Sequence, residues 1–152
     1  MKSVIQRVTQ ARVSVNDQIL GTIGRGALVF LSVGRNDSHE SVRRWATQFA
    51  RLALFAGKEG RITWSLKDEG LPALIVSQFT LHASLTKGKR PSFSRAAPPD
   101  RARNIYEETL RAVKALGIRV VRGRFGAHMT IELTHDGPVT LLLDIDEGNE
   151  DV

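Results

Sequence analysis

The sequence predicts a single α/β domain in which a mixed β-sheet is covered by two main helices. Short apolar runs rich in β-branched residues recur along the chain and have the length of strands. Two longer segments repeat apolar residues at three- and four-residue intervals, as amphipathic helices do. The chain has 152 residues, of which 41% are hydrophobic, so it is long enough to bury one core.

The N-terminal part predicts a β-hairpin followed by a buried strand. Residues 2–15 alternate loosely between apolar and polar side chains, residues 16–18 supply turn chemistry, and residues 19–23 form the return strand. Glycines at 24–26 interrupt this strand before the apolar run 27–33. These glycines lack the spacing of a dinucleotide-binding loop and no helix follows directly, so we interpret them as turn glycines.

The next segment predicts the first helix. Ser38 can cap a helix that begins at His39, and Glu40 suits the positive end of the helix dipole. We expect this helix to continue up to the glycines at 57–60, and its apolar face to pack in the core. The residues of that face are Val42, Trp45, Ala46, Phe49, Leu52 and Ala53. A short strand at 61–66 and a turn at 68–72 should follow.

An apolar strand that ends in polar residues is the most informative stretch of the chain. Residues 73–76 are continuously apolar, which is typical of a strand buried on both faces, and Ser77 and Gln78 follow. Active sites often lie at strand ends, because the strand is rigid while the next loop can vary. The alternative is a core strand whose Ser77 and Gln78 only satisfy local hydrogen bonds.

A long loop, residues 82–98, comes next, and loops of this length inside a domain are usually functional or mobile. It contains a basic cluster with a glycine and an aromatic residue, a composition that fits contact with single-stranded RNA. The residues that we expect to contact RNA are Lys87, Lys89, Arg90 and Phe93.

The second helix should begin at 98–100 and end at Gly117. The elements expected after it are a strand at 118–121, a turn at 122–126, a strand at 129–133, a sharp break at 135–138 and a closing strand at 139–143. The break contains Gly137-Pro138. Because only about 5–6% of X-Pro bonds are cis in folded proteins, physical reasoning alone favours an ordinary turn with a trans bond there.

Charge and composition limit the kinds of function that the protein can have. Residues 1–143 hold all 22 Lys and Arg and 11 of the acids, a net charge of +11, while five acids crowd the last nine positions. A basic body suits a phosphate-rich partner, although a solvated, Arg-rich surface has the same charge. The tail at 146–152 should be frayed. The absence of cysteine excludes disulfides and thiolate chemistry, and the absence of a signal peptide or apolar span predicts a cytoplasmic protein that does not contact a membrane.

Five stretches of the chain resemble the D-aminoacyl-tRNA deacylase family, over residues 1 to about 145. They are residues 4–8, 76–81, 87–93, 123–127 and 137–140. Ser-Gln-Phe-Thr-Leu at 77–81, followed at this distance by Gly-Pro-Val-Thr at 137–140, is the most specific signal. The resemblance implies a deacylase domain at 1–145 with a barrel-like sheet, working as a homodimer without a metal or other cofactor.

The resemblance also implies a reaction and its residues. Members of the family hydrolyse the ester that joins a D-amino acid to the 3′ end of tRNA, and also glycyl esters mischarged on alanine tRNA. The catalytic stretch would be Ser77, Gln78, Phe79 and Thr80. Gly137-Pro138 would be cis and would reach the active site of the partner subunit, where its carbonyls exclude L side chains, and Arg7 would hold this motif in place.

Two mechanisms remain open. An aminoacyl ester is already activated, so backbone N–H groups of Phe79 and Thr80 that stabilise the oxyanion, with help from the substrate 2′-hydroxyl, can suffice. This is the mechanism that we favour. In the other, Thr80 is a covalent nucleophile, which requires a general base that the sequence does not reveal.

Four departures from the family pattern concern the site. His135 replaces a usual asparagine, His128 an aspartate, and His82 a tyrosine, and Thr63-Trp64 replaces a methionine-asparagine pair. The three histidines raise the minor hypothesis of a metal site or a base. Two other functions stay open: an RNA-binding protein without turnover, and a deacylase for L-aminoacyl or glycyl esters in which a trans Gly137-Pro138 bond relaxes chirality.

Overall fold

One long N-terminal strand organises the sheet. The computed structural model of the protein describes residues 1–85 and 89–145. The elements in chain order are β1 (Lys2–Val15), β2 (Gln18–Ile23), β3 (Gly26–Ser32), α1 (His39–Arg51), β4 (Ala53–Ala56), β5 (Ile62–Ser65), α2 (Leu66–Glu69), β6 (Ala73–Ser77), a 3₁₀ helix (Phe79–His82), α3 (Pro99–Ala115), β7 (Val120–Arg122) and β8 (Thr130–Asp144). None of the helices in the described ranges has the length and apolar composition needed to cross a bilayer.

Strand β1 pairs along both of its edges. On one edge it is antiparallel to β8, and on the other its C-terminal half pairs with β2 while its N-terminal half pairs with β3. Strands β6 and β7 then add in parallel, and β4 and β5 form a separate two-stranded sheet. The predicted hairpin turn is confirmed, since Asn16 and Asp17 both have positive φ.

A glycine allows the sheet to curl into a nearly closed barrel. A Cβ atom on Gly21 of β2 would lie only 2.3 Å from Cγ1 of Val121 on β7. The two outer strands therefore approach each other more closely than any larger residue at position 21 permits. The mixed, barrel-like α/β domain implied by the resemblance is confirmed.

The neighbouring strands β3 and β6 are buried on both faces. Val29 and Ile75 pack toward the core shared with α1 and α3, while Leu28, Leu74 and Val76 pack in a second core inside the barrel. This explains the continuous apolar run of β6 and confirms its prediction as a doubly buried strand.

The two main helices are confirmed, but the C-terminal end of the first was predicted wrongly. Helix α1 begins behind Ser38 as expected, yet it ends at Arg51, and Leu52 has an extended ψ of 118°. Residues 53–56 form β4 instead of continuing the helix. An apolar run this short is compatible with the repeat of a helix and with that of a strand. The strand prevails because β4 pairs with β5 and fully buries Leu54 and Phe55.

A short helix was also missed between the predicted strand at 61–66 and the predicted turn at 68–72. Helix α2 begins after Ser65, whose hydroxyl accepts a hydrogen bond from the Asp68 N–H, while the Asp68 carboxylate accepts one from the Ser65 N–H. Gly70 ends it in a left-handed conformation. Ser-x-x-Asp is the sequence of a capping box, so this signal was present but overlooked.

The predicted break between the last two strands is a bulge within one strand. Strand β8 pairs with β1 on both sides of it, with Val8 opposite His135 and Gln6 opposite Thr140. Only Arg7 of β1 therefore lies across from residues 136–139. We call these four residues the Gly-Pro bulge. Pairing with β1 resumes after the bulge, and for this reason the strand continues to Asp144.

Candidate active site

A cavity of about 710 Å³ opens where β3 and β6 end. Its other walls come from the loop before α3, the first turns of α3 and the segment leading into β8. Most of the lining is apolar, which suits a pocket that excludes water around a few polar groups. The polar lining residues are Ser32, Arg35, Ser77, Gln78 and His128.

The strand end that the sequence singled out forms one wall of this cavity. Ser77 is the last residue of β6, and the N–H of Gln78 donates to the Leu31 carbonyl at 2.8 Å, which continues the pairing of β6 with β3. Ser77, Gln78 and Phe79 line the cavity. Thr80 is not part of the lining, but its hydroxyl accepts a hydrogen bond from the Gln78 side-chain amide.

The chain turns directly from β6 into a 3₁₀ helix, and this turn leaves backbone donors free. The first N–H groups of a helix have no acceptor within it. In residues 1–85 and 89–145 no hydrogen-bond acceptor is found for the N–H groups of Phe79 and Thr80. Free N–H groups at a cavity wall can bind an oxyanion.

Phe79 also connects the strand end to the long loop. Its ring packs edge to face against Phe93, with ring centroids 4.9 Å apart, and both residues line the cavity. Lys89 and Arg90, predicted to contact RNA together with Phe93, lie exposed in the same loop. Lys87 lies outside the described residues.

Two aromatic residues form the opposite wall. Tyr106 of α3 packs near Phe125, with ring centroids 5.6 Å apart, and Arg103 lies over the Phe125 ring. The Tyr106 hydroxyl donates to the Ile75 carbonyl at 2.8 Å. Burial raises the pKa of Tyr106 above its usual range, so this phenol stays neutral and acts as a structural donor rather than a base.

The three histidines named as departures lie in different environments. His82 is buried with its Nδ1 2.5 Å from the Ser32 hydroxyl, His128 lines the cavity, and His135 lies on β8. Burial lowers the pKa of His82, and the charge of Asp37 partly opposes this shift. Over the described ranges no three histidine, aspartate or glutamate side chains come together as metal ligands.

The Gly-Pro bulge is separate from the cavity of its own chain. Gly137-Pro138 is cis, as the resemblance implies and against the expectation of a trans bond. Both residues are exposed, and neither lines the cavity. The structure therefore places the residues predicted for catalysis and those predicted for chiral selection at two different places on one chain.

Arg7 holds one end of the bulge. Its Nε donates to the Asp136 carbonyl at 3.2 Å and lies 3.1 Å from the Asp136 carboxylate. Its Nη1 donates to the Leu54 carbonyl of β4 at 2.8 Å. Arg7 thus links the bulge to the small sheet behind it with charge-assisted hydrogen bonds.

His135 holds the other end, a role that the sequence did not indicate. Its Nε2 lies 3.0 Å from the Val139 carbonyl and 3.3 Å from the Thr140 hydroxyl. These contacts join the residue before the bulge to the last residue of the bulge and the one after it. The only signal in the sequence was that His135 replaces a usual asparagine, a residue that can also donate a hydrogen bond to a carbonyl.

The fold and the cavity define a class of protein: a small α/β protein with an apolar pocket at the end of a buried strand, where the described residues supply no acceptor for the N–H groups of Phe79 and Thr80. A family described as D-Tyr-tRNA(Tyr) deacylase matches residues 4–144. The D-aminoacyl-tRNA deacylase of Roseiflexus sp. (strain RS-1) is 49% identical over 144 residues, which cover 95% of this chain and 93% of that protein. The D-aminoacyl-tRNA deacylase of Thermotoga petrophila is 43% identical over 144 residues, which cover 95% of this chain and 97% of that protein. The chain belongs to this deacylase family, and it is a hydrolase, as predicted.

Two solved structures have the same fold. A structure described as c-Myc DNA Unwinding Element Binding Protein is 33% identical, with a TM-score of 0.90 over 96% of this chain and 99% of that chain. A probable eukaryotic D-amino acid tRNA deacylase is 20% identical, with a TM-score of 0.83 over 95% and 98%. At that identity the second match shows the fold alone.

Proposed function

We propose that the protein is a cytoplasmic enzyme that hydrolyses the ester bond of D-aminoacyl-tRNA and releases a free D-amino acid and tRNA. The observation that carries the proposal is the pair of N–H groups of Phe79, which lines the apolar cavity, and of its neighbour Thr80, for which the described residues supply no acceptor. The names of the relatives at 43–49% identity support the substrate class.

The proposed reaction needs little from side chains. A water oxygen attacks the ester carbonyl carbon, and the N–H groups of Phe79 and Thr80 donate to the oxyanion that develops. The ester C–O bond then breaks, and the 3′-oxygen of the ribose leaves with the proton that the water gives up. The neighbouring 2′-hydroxyl of the substrate orients the water, and no metal or other cofactor takes part.

Thr80 is the weaker candidate for a nucleophile. Its hydroxyl accepts a hydrogen bond from the Gln78 amide, which is a donor and cannot remove a proton. Among the described side chains no histidine or carboxylate is bonded to Thr80. Within the described part of the chain a covalent mechanism therefore has no general base.

We further propose that chirality is read by the Gly-Pro bulge of a second copy of the chain. Gly137 and Pro138 are exposed and do not line the cavity of their own chain, so they are accessible to the site of another molecule. On the same strand Leu142 is 78% exposed and Leu133 is 38% exposed, and such apolar surface suits a homodimer contact. Carbonyls of the bulge would exclude an L side chain, whereas glycyl-tRNA has no side chain to reject and would be hydrolysed.

The test is hydrolysis of D-tyrosyl-, L-tyrosyl- and glycyl-tRNA by the purified protein, with and without a chelator. We expect loss of the D-tyrosyl and glycyl esters, survival of the L-tyrosyl ester, and no effect of the chelator. Hydrolysis of the L ester at the same rate would overturn the chirality proposal, and inhibition by the chelator would overturn the metal-free mechanism.

Nucleic-acid binding without turnover is the second candidate. It is favoured by the basic body of the chain and by the name of the 33% identical structure, a DNA unwinding element binding protein. The same experiment separates the two functions. Tight binding of tRNA with no hydrolysis of any of the three esters would favour this candidate and exclude the enzyme.

A further inference from the structure

We propose that Arg35 and Arg95 form a binding site for the phosphodiester groups of the tRNA 3′ end, at the mouth of the cavity. This inference rests on the proposed function, because it names the part of the protein that holds the substrate's backbone. Neither arginine belongs to the basic cluster that the sequence indicated for RNA contact.

One of the two arginines lines the cavity and the other is close to it in the chain. Arg35 follows β3 and is part of the lining, whereas Arg95 is not, although Phe93 and Ala96 on either side of it are. The two side chains are exposed. They therefore occupy the boundary between the apolar interior and the solvent, where a nucleic acid with its 3′ end inside must leave the cavity.

The backbone holds the two positions next to each other. The Arg35 N–H donates to the Arg95 carbonyl at 3.0 Å, and Gly34 and Ala96 form an antiparallel bridge beside them. The Ala97 N–H adds a bond to the Val33 carbonyl at 3.0 Å. Two guanidinium groups on paired backbone segments form a preorganised site, because less chain entropy is lost when a ligand binds.

No ion pair within the described residues uses the charges of the two arginines. Among the described residues neither Arg35 nor Arg95 forms an ion pair, whereas Arg122 is held by Glu107. The nearby Asp37 is buried and bonded to the Met1 ammonium group and the Gly34 N–H. The described cavity lining contains no aspartate or glutamate. In the described lining no carboxylate therefore balances the charge of Arg35, and such a positive charge favours phosphate.

The chemistry matches the proposed substrate. The reacting ester is at the very end of the tRNA, so when it lies against Phe79 the first phosphodiesters upstream must pass the mouth. Guanidinium groups bind phosphate oxygens in a bidentate manner. These contacts position the strand without reading its sequence, as phosphate contacts generally do.

The experiment compares the double variant Arg35→Ala/Arg95→Ala with a matched control, Arg111→Ala/Arg119→Ala. Arg111 and Arg119 are also exposed, do not line the cavity and form no ion pair in the described part of the chain. Arg111 lies on α3 about 18 Å along the helix from its start. Each variant is assayed with D-tyrosyl-tRNA and with the small ester D-tyrosyl-adenosine, which has no phosphate.

We expect kcat/KM for D-tyrosyl-tRNA to fall roughly tenfold in the Arg35/Arg95 variant at moderate salt. The slope of log binding constant for uncharged tRNA against log salt should become less steep by about 1.4, since each single-strand phosphate contact contributes about 0.7. Hydrolysis of D-tyrosyl-adenosine, which has no phosphate, should fall far less than hydrolysis of D-tyrosyl-tRNA, and the control variant should behave as the wild type.

Equal losses in the two double variants would overturn the inference, because they would report only a general effect of net charge. A loss on D-tyrosyl-adenosine as large as that on D-tyrosyl-tRNA would also overturn it, since the arginines would then act on the ester end of the substrate and not on its phosphates. If the wild type hydrolyses neither substrate, the proposed function fails. The change in salt slope for uncharged tRNA then still decides for or against the phosphate site.

Discussion

The cavity wall at the end of β6 and the Gly-Pro bulge of β8 are built in opposite ways. The wall is attached to a strand whose apolar residues are fully buried on both faces. The bulge is exposed and is held by two polar side chains, Arg7 and His135. Close packing fixes the position of the first, whereas a few hydrogen bonds fix the second. The donors proposed for catalysis should therefore withstand substitutions that disturb the proposed chiral selection.

The largest effect is expected for Arg7→Ala. This change removes the bonds to Asp136 and Leu54 and leaves the bulge free to move. Loss of charge-assisted bonds of this kind costs about 2–3 kcal/mol, so the preference for D-tyrosyl- over L-tyrosyl-tRNA should fall about a hundredfold. The measurement is kcat/KM for both esters. Arg7→Lys keeps the charge but loses the planar guanidinium group with its several donors. Its D-to-L preference should therefore lie between those of the wild type and Arg7→Ala.

An Arg7→Ala protein that unfolds would not address the comparison, so its melting temperature and circular dichroism are measured beside the rates. A folded variant with an unchanged preference for the D ester would show that the bulge does not depend on Arg7.

A smaller effect is expected for His135→Ala, which removes the contact with the Val139 carbonyl. Loss of one hydrogen bond of about 1 kcal/mol should lower the D-to-L preference roughly five- to tenfold. His135→Gln places an amide N–H donor about as far from the backbone as Nε2 and should recover most of this preference. If the alanine and glutamine variants lose the same preference, the hydrogen bond is not what holds the bulge.

On the cavity side, the buried His82 should make stability depend on pH. Burial lowers its pKa in the folded protein, so the unfolded chain binds a proton more readily. The free energy of unfolding should therefore decrease as pH falls through about 6.5, the ordinary value for histidine, and recover above it. Urea denaturation at a series of pH values measures this dependence.

The matched variant for this test is His82→Tyr, which removes the titrating group and restores the residue usual in the family. We expect a flatter pH dependence of stability in this variant. The same slope as in the wild type would assign the effect to another group.

The smallest effect is expected for Thr80→Ala. The backbone N–H stays in place, and only the hydroxyl that accepts from Gln78 is lost. Hydrolysis of D-tyrosyl-tRNA should change less than about threefold, because the proposed donors belong to the main chain. Abolition of hydrolysis with tRNA binding and fold intact would show that Thr80 is the nucleophile.

Much of the fold followed from local patterns. The apolar run at β6, the amphipathic faces of α1 and α3, and the turn at Asn16 and Asp17 each depend on residues close in sequence, and all were predicted. The strand at residues 53–56 was not predicted, because its formation depends on pairing between β4 and β5.

The candidate site shows the same division. Ser77, Gln78 and Phe79 were identified from the sequence and do line the cavity. Arg35, Arg95 and Tyr106 were not identified as parts of the site, because the loop and helix that carry them reach the strand end only through the fold. The contacts of His135 with Val139 and Thr140 depend on the register of β8 against β1, which no local pattern reveals.

The sequence by itself determined which segments are apolar enough to be buried, where the chain can turn, and which family the chain resembles. These properties depend on the side chains of neighbouring residues. Only the tertiary structure decided that the residues of the cavity and those of the bulge lie apart on one chain, and that the backbones of Arg35 and Arg95, 60 positions apart, pair next to the cavity lining. Contacts between distant segments depend on strand pairing and packing, and these are properties of the whole fold.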